Sequence, residues 1–165
     1  MAEGNTSTAI DVAPVGFAPD EIDPTLSTRA ARLKWVVVVD RGLPPGRAVN
    51  AAICAAAATQ SSVTGLLGDD VADAEGTVHP GLPWAGCSVL AADSGALRAI
   101  RAKAASYADT FVADMPALAQ ETLVYADYRA TLSRTAAADL AYCAVSIVGP
   151  RNRINKIVGK LPLLA

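Results

Sequence analysis

The stretch KWVVVVD (34–40) limits what this chain can fold into more than any other. Four consecutive valines leave no polar face, so they predict a strand buried on both sides. RGLPPG (41–46) follows as loop chemistry, with two glycines for unusual φ and two prolines to stiffen the turn. RAVNAAICAAAATQ (47–60) then reads as a helix whose small side chains let it lie close to a sheet. The unit is strand, glycine loop, helix.

The same grammar repeats. CSVLAA (87–92) reads as a strand, and Asp93 or Ser94 caps a helix over 94–108. TFVAD (110–114) reads as a short strand, with Pro116 opening a long helix through Thr135. LAYCAVSIVG (140–149) reads as the last long strand, and RNRINKIVGK (151–160) as the closing helix. SVTGLLGDDV is read as a short strand ending in an acidic loop. Residues 1–30 show no sustained periodicity and are read as a flexible or loosely docked arm before a single domain, 31–165. Alternating β and α segments predict a mixed or parallel sheet with helices on both faces. Ligands in such sheets gather at the carboxyl ends of the strands.

Aromatic residues make up only 5% of the chain, so Ala, Val and Leu must build the core. The net charge of -2 argues against a general nucleic-acid binder. Three widely spaced cysteines without a CxxC pair read as buried, reduced thiols. No signal segment and no apolar run of about 18 residues is present, which predicts a soluble, cytoplasmic protein without a membrane partner. One histidine and scattered cysteines make no zinc set, and the acids at 69, 70, 73 and 75 lack calcium-loop spacing. No GxGxxG or GK[ST] loop exists, so no cofactor is expected.

Several residues suit chemistry. Asp40, ending a buried strand, is either a positioned base or an ordinary turn cap. Asn50 can bind a ligand or tie helix to loop. Arg47, at a helix start where the dipole disfavours a cation, wants a carboxylate from a ligand or from the protein. His79, in GTVHPGLPWAGC, is either an acid–base group oriented by Asp73 or Glu75, or part of a plain turn. Asp114 stands between a strand and a helix at the ligand-binding edge. Tyr128, one turn from Tyr125, is a packed tyrosine or a polar contact, and Lys156 with Asn155 is an anion contact or a solvated helix face.

KWVVVVDRGLPPGRAVNAAICA resembles the opening of type 2 peptidyl-tRNA hydrolases. AVSIVGPRNRINKIVGKLPLL is similar to that family's closing strand, Gly-Pro turn and helix. Closer still is the domain-of-unknown-function-2000 family, whose pattern resembles VVDRGLPPGRAVNAA, DAEGTVHPGL, the YADY helix and NKIVGKLPLL, over about residues 33–164. The resemblance implies a three-layer α/β/α domain with a four-stranded mixed sheet, peptidyl-tRNA hydrolase type 2-like, and a homodimer. It also implies hydrolysis of the ester joining peptide to tRNA, with Asp114 matching the family's acid. Here Met115 and Pro116 stand where that family has Ala-Gly, and Arg47 is the loop's cation. The leading expectation is therefore a cofactor-free enzyme on a small carbonyl, ester or amide substrate. Asp114, His79 and Asp40 would be its acid–base groups, with Arg47, Asn50, Tyr128 and Lys156 binding. A tRNA partner is disfavoured but stays open, through a basic groove of Arg47, Arg151, Arg153 and Lys156. So does a non-catalytic binding or scaffold role.

Overall fold

A computed structural model describes residues 14–165. In chain order it holds β1 (Leu33–Asp40), α1 (Pro45–Ser62), β2 (Val71–Ala72), β3 (Val78–His79), β4 (Ser88–Ala92) and α2 (Ser94–Ala105). Then follow β5 (Phe111–Pro116), α3 (Ala117–Glu121), α4 (Tyr125–Leu132), β6 (Tyr142–Pro150) and α5 (Arg151–Val158). The main sheet has the order β4-β1-β6-β5. β4 runs parallel to β1, while β6 runs antiparallel to both β1 and β5, so the four-stranded sheet is mixed.

β1 is wholly apolar from Trp35 to Val39, where each of its faces is covered. Leu33, Trp35, Val37 and Val39 pack beneath α1. Val36 and Val38 pack on the other face, under α2 and α5. Each fully buried valine contributes about 1.5–3 kcal/mol. Ala48, Ala51, Ala55 and Thr59 form the buried stripe of α1 at three- and four-residue spacing. Their small size brings the helix close enough for Thr59 to reach the sheet. There Trp35 Nε1 donates to Ser146 Oγ (2.8 Å), and Ser146 Oγ lies 2.7 Å from Thr59 Oγ1. Thr59 in turn donates to the Ala55 carbonyl (2.8 Å).

The helix expected from Pro116 to Thr135 is two helices. Pro116 closes β5 instead of opening a helix, tolerated because β5 is an edge strand. Thr122 and Val124, both β-branched, take extended backbone and separate α3 from α4. α2 stops at Ala105, and α5 at Val158, where Gly159 turns to φ 57°. The acidic stretch is not a bare loop: β2 and β3 form a small hairpin, pairing Val71 with His79.

Residues 1–13 of the proposed arm lie outside the described residues. Of the remainder, Phe17 is buried, its N–H bonds the Thr64 carbonyl (3.0 Å), and its ring meets Trp84 at a centroid distance of 4.8 Å. The segment after α5 returns to β4: Ala91 N–H bonds the Pro162 carbonyl and Leu164 N–H the Val89 carbonyl. Backbone from the tail thus covers the β4 edge. No described helix is long and apolar enough to cross a membrane.

Candidate functional site

The carboxyl ends of β1 and β5 and the start of β6 meet at one edge of the sheet. Asp40 ends β1, and its Oδ1 accepts the Gly42 N–H (2.9 Å). It therefore caps the turn that leads into α1. In the first turns of α1, Arg47 and Asn50 both converge on Gln120 of α3. Arg47 Nε donates to Gln120 Oε1 (2.8 Å), while Gln120 Nε2 donates to the Arg47 carbonyl (2.8 Å) and to Asn50 Oδ1 (3.3 Å). The Cys143 thiol, at the start of β6, faces the same Oε1 at 3.6 Å. Burial pushes this thiol up, Arg47 opposes that, and the charges of Asp40 and Glu121 add to it. Cys143 is thus held as a protonated donor. Gln120 escaped the sequence reading, since nothing local marks a glutamine on a five-residue helix as a hub.

One turn further along α1 lies a cleft of about 370 Å³ between α1, β5 and the α3–α4 turn. Cys54, Ala58, Met115, Ala119, Leu123 and Tyr125 give it mostly apolar walls, and Asp114 and Tyr128 line it as well. Asp114 sits on the edge strand. Its Oδ2 accepts from Arg101 Nε at 3.0 Å, and its side chain is 19% exposed. Arg101 also lies over the Tyr142 ring, 5.7 Å from the centroid. Tyr128 packs on Tyr125, ring centroids 5.6 Å apart. Burial first, then the negative charge of Asp114 and the neighbouring Tyr125, push the Tyr128 phenol above its ordinary value. Tyr128 therefore keeps its proton at neutral pH and can donate it.

His79 is elsewhere. α1 carries the chain about 27 Å away from the Asp40 edge, and the hairpin follows from that far end. Trp84 Nε1 pins the loop to the Gly65 carbonyl (2.8 Å). His79 Nε2 lies 3.3 Å from Asp73 Oδ2, with 59% of its side chain exposed. Asp73 Oδ1 accepts the Thr77 (2.8 Å) and Glu75 (3.0 Å) N–H groups, so this acid organises the hairpin turn. Asp70 does the same for Gly81, whose N–H it accepts at 2.9 Å. A Cβ at Gly81 would overlap the Gly68 carbonyl oxygen, which is why the HPG turn needs glycine.

Lys156 lies on the exposed side of α5, beyond the end of β6. Arg153 pairs with Asp109 and covers the Tyr107 ring, and Arg151 bonds the Ala31 and Thr28 carbonyls. These three stand at the opposite edge from Arg47, separated by the nine residues of β6, about 30 Å. The four cations do not form one groove. Cys143 is buried as expected, but Cys54 and Cys87 are exposed, because α1 turns only its alanine stripe to the sheet and Cys87 precedes the buried part of β4. All three are free thiols. Among the described residues, no three His, Cys, Asp or Glu side chains stand together as a metal site.

No curated protein matches this chain. Among solved structures, a protein of unknown function from Agrobacterium tumefaciens shares the fold, with a TM-score of 0.75 at 19% identity. The match covers 81% of this chain and 98% of that one. Residues 33–165 match the family model described as "Protein of unknown function (DUF2000)", and the chain belongs to that family.

Proposed function

We propose that the cleft between α1, β5 and the α3–α4 turn is the active site of a cofactor-free acid–base enzyme acting on a small carbonyl, ester or amide compound. One observation carries the reading: a carboxylate held by an arginine and a proton-bearing phenol share one largely apolar cleft. Arg101 occupies Asp114 Oδ2 and fixes the carboxylate, leaving Oδ1 to take a proton from water or from a carbon beside a carbonyl. Tyr128 donates to the oxygen on which negative charge develops, and the apolar walls strengthen that hydrogen bond. Arg47 and Asn50, tied to Gln120 one turn before the cleft on α1, suit a polar substituent of a substrate long enough to reach them. His79 and Lys156 take no part.

Kinship with the type 2 peptidyl-tRNA hydrolase fold, and the homodimer that it implies, belong to the same proposal. The Lys-led β1, the glycine loop and the closing β6–α5 unit support it. Light scattering on the purified chain reads the dimer. Retained tRNA hydrolysis is the weaker reading, because Arg47 is separated from the other three cations.

The test pairs two assays on purified protein. One follows hydrolysis of p-nitrophenyl esters of short acids. The other follows deuterium uptake beside the carbonyl of small ketones and 2-oxoacids by NMR. Activity in either assay should fall about 100-fold or more in Asp114→Asn and about tenfold or more in Tyr128→Phe. Activity unchanged by Asp114→Asn would refute the assignment. Release of the N-blocked amino acid from N-blocked aminoacyl-tRNA, lost in Asp114→Asn, would restore the tRNA reading.

A further inference from the structure

A second cavity, of about 480 Å³, opens at the other edge of the sheet, where β1 and β4 begin and α5 starts. Arg29, Lys34 and Arg151 line it with Ser88 and Asn155, and no acidic residue does. Lys34 Nζ donates to a neutral partner, Asn155 Oδ1, at 2.8 Å. Arg151 spends two N–H groups on the backbone, Nε on the Ala31 carbonyl (3.0 Å) and Nη2 on the Thr28 carbonyl (2.8 Å). Among the described residues, none of the three cations is ion-paired with a carboxylate.

Such an arrangement is costly without a counter-charge. Burial and the Arg151 charge both hold the Lys34 ammonium below its ordinary value. Arg151 also opens α5, where the helix dipole is already positive. An anion relieves each of these costs. Two of the cations are already oriented: Lys34 by Asn155 and Arg151 by two carbonyls, so a ligand orders little on arrival.

We propose that this cavity binds the oxyanion of a small molecule, a carboxylate or a phosphate, between Lys34 and Arg151. Ser88, at the start of β4, adds a hydroxyl donor to the same wall. The site is separate from the Asp114 cleft, since the two open at opposite edges of the sheet.

The test is an NMR titration of the ¹⁵N-labelled full chain at constant ionic strength, with inorganic phosphate in one arm and succinate in the other. Saturable shifts should appear at the Lys34, Ser88 and Asn155 amides, and the arm that saturates first names the oxyanion. Lys34→Gln keeps a donor for Asn155 but removes the charge, and should weaken binding about tenfold or more. Asn155→Asp places a carboxylate beside Lys34 and should also suppress binding, on an exposed helix position that tolerates the change. Lys103→Gln removes the same charge from α2, away from the cavity, and should leave binding intact. Equal weakening by Lys34→Gln and Lys103→Gln would reduce the effect to net charge and overturn the proposal. So would the absence of saturation in both arms.

Discussion

Replacing Ser146 by alanine deletes one oxygen from a buried chain of hydrogen bonds. Trp35 Nε1–H donates to Ser146 Oγ, and Thr59 Oγ1 donates to the Ala55 carbonyl, so Ser146 must donate its own proton to Thr59. Thr59 and Ser146 are 0% exposed and Trp35 is 7% exposed, so water does not replace a lost partner. In Ser146→Ala the indole N–H loses its acceptor, while Thr59 keeps the Ala55 carbonyl. An orphaned buried donor costs about 1–3 kcal/mol, and about 2 kcal/mol is expected here. Urea unfolding followed by tryptophan fluorescence should show a midpoint lower by about 1 M, given a slope of about 2 kcal/mol per molar. The decisive comparison is Ser146→Ala in a Trp35→Phe background. With no indole N–H to orphan, the serine change should then cost about 2 kcal/mol less. An equal cost in both backgrounds would show that Ser146 acts by packing and refute the reasoning.

Gly81→Ala should destabilise the loop by about 2 kcal/mol or more, because backbone at Gly68 cannot yield to the new Cβ. Hydrogen exchange should quicken at Gly68 and Trp84 first, and unchanged exchange there would count against the clash. Glu21, paired with Arg32 and accepting the Ala18 N–H, has its carboxyl pulled down to about 2. A carboxylate lowered in the folded state stabilises fully above the ordinary carboxylate value, and that stabilisation is lost as pH falls toward about 2. A ¹³C titration should show Glu21 ionised at pH 3 in the native chain and returned toward the ordinary carboxylate range in Arg32→Gln. Removing residues 161–165 should uncover the β4 edge that Pro162 and Leu164 now pair with. The truncated chain should self-associate in light scattering, and a clean monodisperse profile unchanged from the full chain would contradict this.

β1, β6 and α1 were legible in the sequence because their signals are local. An unbroken valine run has one stable environment, a strand covered on both faces, and alanines at helical spacing define the contact stripe of α1. The strand–loop–helix grammar likewise placed Asp40, Arg47, Asn50 and Asp114 at carboxyl ends of strands, but it put the Gly149-Pro150 turn with them, and antiparallel β6 carries that turn to the other end. Partners across the sheet were not legible. Arg101 meets Asp114, Gln120 gathers Arg47 and Asn50, and Trp35 finds Ser146, a residue 111 positions away. Each pairing depends on the order β4-β1-β6-β5, which brings β6 between β1 and β5 and which no local propensity encodes. The antiparallel run of β6 against β1 decides that Arg47 and Arg151 stand at opposite ends of the sheet. For His79, local chemistry allowed both a base and a turn, and only the far end of α1, anchored by Trp84, put it on the hairpin. Side-chain periodicity is a property of neighbours along the chain, whereas a site is a property of neighbours in space.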